Sequence, residues 1–222
     1  MPNLLTRKLF FMDATSLIKI PGYKYSEYSL VLTPHTDLRD KIMQVKKEFS
    51  EKYKTSVALY SKPHITLVNF VQFEMMEERL VNRLKTIASN YSAFKVELKD
   101  FGSFPSHTIY INIESKQQVQ NLTRQLRPAQ QLMTLNKENK PHFIDDPHLT
   151  VARKLLPWQY EQGWLDYGLR HYRGRFMADE MWLLKRSLET QPDGLYLAGK
   201  YQIVHRFKFL NLPVKSAQGQ LF

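Results

Sequence analysis

Apolar and polar positions along this 222-residue chain change period several times, and each change marks an element. "EYSLVLT" (27–33) reads as a strand stopped by Pro34. Leu38, Ile42, Val45 and Phe49 then recur at helical spacing as far as Tyr53, with Asp37 placed to cap the helix. "PHITLVNF" (63–70) is a second strand. A helix over 74–90 carries Met76, Leu80, Leu84 and Ile87 on one face, and "AFKVELKDFGSF" (93–104) alternates like a strand.

The same order recurs in the second half. "TIYINI" (108–113) is β-rich, 116–133 is helix-like, "PHLTVARKL" (147–155) is a strand, and Pro157 opens a short helix to about Arg170. "DEMWLLKRS" (179–187) completes the copy. From Tyr28 to His64 is 36 positions and from Tyr110 to His148 is 38, so strand, helix, strand, helix, strand is read twice. Beyond it, "QPDGLYLAG" reads as a turn, and "KYQIVHRFKF" as a strand with Tyr201, Ile203, His205 and Phe207 on one face. Residues 1–25 are expected to form an irregular arm, 26–210 one bilobal domain, and 211–222 a polar tail. The pattern predicts an α+β architecture with antiparallel pairing and outer helices.

Composition narrows the chemistry. No cysteine is present, so disulfides, thiolate nucleophiles and Cys-ligated zinc are excluded. Lys and Arg number 32 against 21 Asp and Glu, and the formal charge of +11 favours polyanionic partners such as nucleic acid or phosphorylated ligands. Arg7 and Lys8 precede Leu9-Phe10-Phe11-Met12, but Asp13 ends that apolar run, which is too short for a signal peptide. A soluble, cytoplasmic monomer without a membrane span is expected. Walker-type and Gly-x-Gly-x-x-Gly loops are absent, so ATP hydrolysis and dinucleotide binding have no support.

His64-Ile65-Thr66 and His148-Leu149-Thr150 fall on equivalent strands of the repeat, each after a proline, Pro63 and Pro147. In a strand, His64 and Thr66 share one face, as do His148 and Thr150, while Ile65 and Leu149 face the opposite, packed side. Two-fold packing of the halves would bring both pairs to one groove. There a neutral imidazole can take a proton and a protonated one can give a proton, while the hydroxyls hold phosphate oxygens. Displacement at phosphorus by this route needs no metal and no cofactor. A cluster of His142, His148, Asp145 and Asp146 matches no usual metal-ligand spacing, and a metal on His148 would remove half of the acid–base pair.

Other residues stay open. Arg153, in "TVAR", falls on the strand face opposite Thr150 unless the strand ends or bulges; phosphate binding and a structural ion pair suit it equally. Phe104 and Tyr110 flank a turn and suit core packing, or stacking on a base. Lys62 and Lys154 adjoin the motifs as surface residues that add positive potential. His35, His107, His142, His171 and His205 have no repeated context.

"KPHITLVNF" and "DPHLTVARKL", joined by "FGSFPSHTIYINI" and closed by "GKYQIVHRFKF", resemble the 2H phosphoesterases, most closely the bacterial and archaeal 2′-5′ RNA ligase (cyclic phosphodiesterase) branch. The resemblance spans roughly residues 26–210; "NFVQFEMM" lacks the glycine that often follows the first motif, and Asp145-Asp146 has no counterpart. It implies two pseudo-symmetric lobes of antiparallel sheet with outer helices around a central groove. It also implies that His64 and His148 are the catalytic pair and that Thr66 and Thr150 bind phosphate. The expected substrate is a 2′,3′-cyclic phosphate or 2′,5′ linkage, in RNA ends or in a small cyclic or 2′,5′-linked nucleotide, with ligation as a relative of hydrolysis. The alternative is a binding module for RNA or a phosphorylated ligand that uses the same basic groove without turnover.

Overall fold

A computed structural model describes residues 22–55, 59, 61–190 and 196–212. Strands β1 (Tyr25–Leu32), β2 (Ile65–Phe73), β3 (Phe94–Phe104), β4 (Thr108–Ile113), β5 (His142–Phe143), β6 (His148–Arg153), β7 (Arg173–Ala178), β8 (Glu180–Thr190), β9 (Tyr196–Ala198) and β10 (Gln202–Lys208) are interspersed with helices. The helices are α1 (Thr36–Lys52), α2 (Glu77–Ser89), α3 (Lys116–Leu126), α4 (Gln130–Met133) and α5 (Pro157–Tyr167). The fold is α+β, and its main sheet runs β10-β8-β1-β2-β6-β4-β3-β7 with every pairing antiparallel.

That order is palindromic about the β2–β6 junction. Each half supplies a first strand (β1, β4), a motif strand (β2, β6) and a third strand (β3, β8). The third strands are exchanged: β3 pairs with β4 of the second half, and β8 pairs with β1 of the first. Each lobe therefore contains strands from both halves, and the motif strands meet at the centre through Ile65 opposite Leu149. Both residues are fully buried, as the alternation in each motif requires.

Helices cover the core-facing side. In α1, Leu38, Ile42 and Phe49 are buried; in α2, Leu80, Leu84 and Ala88; in α3, Val119, Leu122 and Leu126. Pro157 occupies the first position of α5, where its missing N–H costs nothing. Gln159 joins α5 to the end of α1: its Oε1 accepts from Leu156 N–H at 2.9 Å and its Nε2 donates to Tyr53 O at 2.9 Å. Gly163 allows the two helices this close, since a Cβ there would lie 2.8 Å from the Phe49 ring.

Several expectations are corrected. The helix expected over 116–133 breaks at Arg127–Ala129, a 3-10 turn around Pro128, which cannot donate to the helical ladder. Asp37 lies in the first turn of α1, and His35 takes the N-cap position without a side-chain cap bond. The single face expected for Tyr201, Ile203, His205 and Phe207 is interrupted by a register shift between Ile203 and His205, so Phe207 is buried while Ile203 is exposed. Strand β7 is absent from the sequence pattern, because only Phe176 and Ala178 are buried in "RGRFMA". The turn expected at Gln191–Gly194, the first 21 residues of the expected arm and 213–222 of the expected tail lie outside the described residues. No helix among the described residues is long and apolar enough to cross a membrane.

Candidate active site

The two motif strands carry the same burial sequence. From His64 to Asn69, and again from His148 to Arg153, the order is half-buried, buried, half-buried, buried, buried, half-buried. A simple strand alternates strictly, so two consecutive buried residues need a cause. Matching β-bulges supply it. Val31 pairs with Thr66 and Leu30 with Val68, which skips Leu67; Tyr110 pairs with Thr150 and Ile109 with Ala152, which skips Val151. An extra residue reverses the facing of every later position in the strand. Asn69 and Arg153, each three positions after a threonine, are thereby turned to the threonine's side.

Antiparallel register about Ile65 and Leu149 sets His64 across from Thr150 and Thr66 across from His148. All four line one groove of about 420 Å³, together with Lys46, Asn69, Phe104, His107, His142 and Arg153. Arg153 therefore stands on the groove side, and the bulge is the reason.

Each motif histidine is held in the same way. His64 Nδ1 lies 2.7 Å from Lys62 O, and His148 Nδ1 lies 2.9 Å from Asp146 O. A carbonyl only accepts, so Nδ1 carries the proton and Nε2 is left to the groove. The Thr66 and Thr150 hydroxyls have no protein partner among the described residues. They are free to bond an incoming oxygen.

Burial lowers the pKa of His64 to about 4, and the charges of Lys46 and Arg153 act in the same direction against the backbone bond to Lys62. Burial also lowers that of His148, where the Asp146 carbonyl and carboxylate oppose the shift. Both rings are therefore neutral near neutrality. Asp146 pairs with Lys116 at 2.6 Å, and Asp145 lies 3.9 Å from Arg127 while its carbonyl accepts from Gln120 at 2.7 Å. The acidic pair that matched no family pattern thus fixes the segment leading into His148.

The aromatic candidates separate. Phe104 lines the groove and meets the His148 ring edge-on, with centroids 4.8 Å apart at 84°. Tyr110 is buried, 4.7 Å from Phe104 and 5.0 Å from His148, and does not line the groove. Lys62 and Lys154 are exposed at the strand ends. His107 and His142, which had no repeated context, stand on the groove wall, whereas His35, His171 and His205 do not. Among the described residues, no group of three or more His, Asp or Glu is arranged to hold a metal ion.

Sequence reasoning missed Lys46. Its side chain is 1% exposed, and its Nζ donates to Ser61 O at 2.7 Å and Ser61 Oγ at 3.3 Å. Burial lowers its pKa to about 8, with Arg153 contributing. A signal was present: Lys46 sits four positions after Ile42 and three before Phe49, within the apolar face of α1.

Comparison with known proteins gives a consistent picture. Residues 34–190 match the model of the 2′-5′ RNA ligase superfamily. A provisionally named phosphoesterase of Geobacillus thermodenitrificans is 27% identical over 161 residues, 71% of this chain and 87% of the relative. One from Bacillus anthracis is 30% identical over 131 residues, 57% of this chain and 69% of the relative. The crystal structure of Escherichia coli LigT in apo form shares the fold, with a TM-score of 0.55 at 15% identity over 84% of this chain and 98% of LigT.

Proposed function

Because the chain belongs to the 2′-5′ RNA ligase superfamily, we propose that it is a metal-independent phosphoesterase acting on 2′,3′-cyclic phosphate or 2′,5′ phosphodiester linkages of RNA type. One observation carries the reading. Two histidines, each fixed through Nδ1 to a main-chain carbonyl, present Nε2 to a groove that also holds two threonine hydroxyls without a partner among the described residues.

One neutral imidazole takes the proton of a water as its oxygen bonds to phosphorus. The bond from phosphorus to one ribose oxygen breaks, and the second imidazole, protonated, gives its proton to that oxygen. Thr66 and Thr150 donate to the non-bridging oxygens, which gain charge as the transition state forms. With a ribose 5′-hydroxyl in place of water, the same steps join two RNA ends through a 2′,5′ linkage. Burial favours the neutral form of both imidazoles, and a bound phosphate raises the pKa of the one that serves as acid. An anion within about 4–6 Å does this. Arg153 contributes further positive charge beside the phosphate. RNA ends and small cyclic or 2′,5′-linked nucleotides are the substrates this chemistry suits.

The purified protein in EDTA is expected to open 2′,3′-cyclic nucleotides or cyclic-phosphate-ended RNA to phosphomonoesters, resolved by chromatography. His64→Ala and His148→Ala are each expected to lower kcat by about 10²–10⁴. Strict dependence on an added divalent metal would overturn the mechanism. Salt-sensitive RNA binding that survives both substitutions, with no turnover by the wild type, would identify a binding module instead.

A further inference from the structure

Lys46 does not belong to the motifs, yet it is the charged side chain most deeply buried beneath the groove. Among the buried residues of α3, the counterpart of α1 in the second half, none is charged. The apolar face of α1 therefore carries a cation at one place only, and a fully buried ammonium is costly unless something else requires it.

Its partners show what it holds. Both hydrogen bonds from Nζ go to Ser61, one to the carbonyl and one to the hydroxyl. The next residue, Lys62, supplies the carbonyl that accepts from His64 Nδ1. Pro63 comes next and is buried. The chain of contact runs from α1 through Ser61 and Lys62 to the imidazole. We propose that Lys46 is a positioning residue for the phosphoesterase reaction, fixing the His64 ring through the Ser61–Lys62 backbone. This rests on the functional reading above, and it makes the two histidines unequal.

The ammonium acts through charge as well as contact. The charged or titratable groups bearing on His64 are Lys46 from α1 and Arg153 and His148 from β6. Around His148 stand Asp146 and Lys116, whose charges oppose one another. The two fixed charges bearing on His64 are thus both cations, while His148 is neutral. Lys46 anchors its Nδ1 side and disfavours a proton on the ring until an anionic substrate arrives.

Lys46→Met keeps an unbranched apolar stem, one atom shorter, and removes both donor and charge. The ring ¹⁵N and ¹H shifts of His64, followed by NMR against pH, are expected to titrate about half a unit or more higher than in the wild type. The acid limb of kcat/KM should move the same way, and kcat should fall about tenfold or more while KM changes less. Lys46→Gln keeps a donor for Ser61 without the charge; it should share the titration shift and retain more of kcat, and it carries the test if Lys46→Met does not fold. A folded variant whose His64 titrates as in the wild type, with unchanged kcat, would overturn the proposal. The NMR titration needs no turnover, so a wild type that cleaves no phosphodiester would sink the functional reading, while the titration still decides whether Lys46 controls the His64 ring.

Discussion

At the scale of single residues, the site is built from side chains whose ordinary preferences are overridden. His64 would titrate near 6.5 in an unfolded chain, and burial takes it to about 4 in the fold. The folded state therefore prefers the neutral ring. Stability from this residue is fully present above about pH 6.5 and is lost as pH falls through 6.5 toward 4. The size is about 2 to 3 kcal/mol by pH 4.5, and His148 adds a change of the same sign. Urea denaturation of wild type and His64→Gln at pH 7 and pH 4.5 isolates it, since other carboxylates and histidines are common to both. The wild type is expected to lose about 2 to 3 kcal/mol more than the variant over that interval. Equal losses would mean that His64 is well solvated in the fold. The two histidines and two threonines were legible as candidates because an i, i+2 polar pair on an otherwise apolar strand has few other uses. Lys46 was not, because a lysine in a helix is read as solvated, and the deciding fact is how α1 lies against the groove.

At the scale of elements, the bulges turn a local pattern into a site. Strict alternation would aim Asn69 and Arg153 away from the threonines, and a bulge leaves no composition signal in "TLVN" or "TVAR". The element types in the repeat were legible because period 2 and period 3.6 separate clearly. β7 was not, since its exposed positions are Arg173, Arg175 and Met177 and its pairing partner β3 is distant in sequence. The hairpin of β3 and β4 shows how strands support the site. Gly102 faces Tyr110 across it, and a Cβ at Gly102 would stand 2.5 Å from Tyr110 Cε2 and 2.6 Å from Asn112 Oδ1. Both strands are fixed by neighbours, β7 and β6, so the side chains must move instead. Tyr110 packs against Phe104 and the His148 ring, so the strain reaches the site. Gly102→Ala is expected to cost about 1 to 3 kcal/mol in thermal or denaturant unfolding. It should also lower kcat, because a misplacement of about 1 Å at a reacting group costs up to about 10²-fold. Unchanged stability would show that the hairpin yields more readily than its packing implies.

At the scale of the whole molecule, the exchanged third strands decide how the protein holds together. The two copies do not each complete their own lobe: β8 completes the lobe of β1 and β2, while β3 completes that of β4 and β6. Strand exchange between copies has no sequence signature, since β3 and β8 present apolar faces that suit either neighbour. The consequence is physical. Separating the halves in the turn at Pro105–His107 would strip β1 of β8 and β4 of β3, exposing apolar edges on both pieces. It would also part Ile65 from Leu149, the buried contact that sets His64 beside Thr150. Neither fragment 1–105 nor fragment 106–222 is expected to fold alone, as judged by near-ultraviolet circular dichroism and amide NMR dispersion. Mixed at equal concentration, they should recover structure together, and activity should appear only in the mixture, rising with concentration as a bimolecular assembly requires. A folded, independently stable half would contradict the shared core. Activity in one half would contradict the site itself, because each half holds only one histidine and one threonine of the pair.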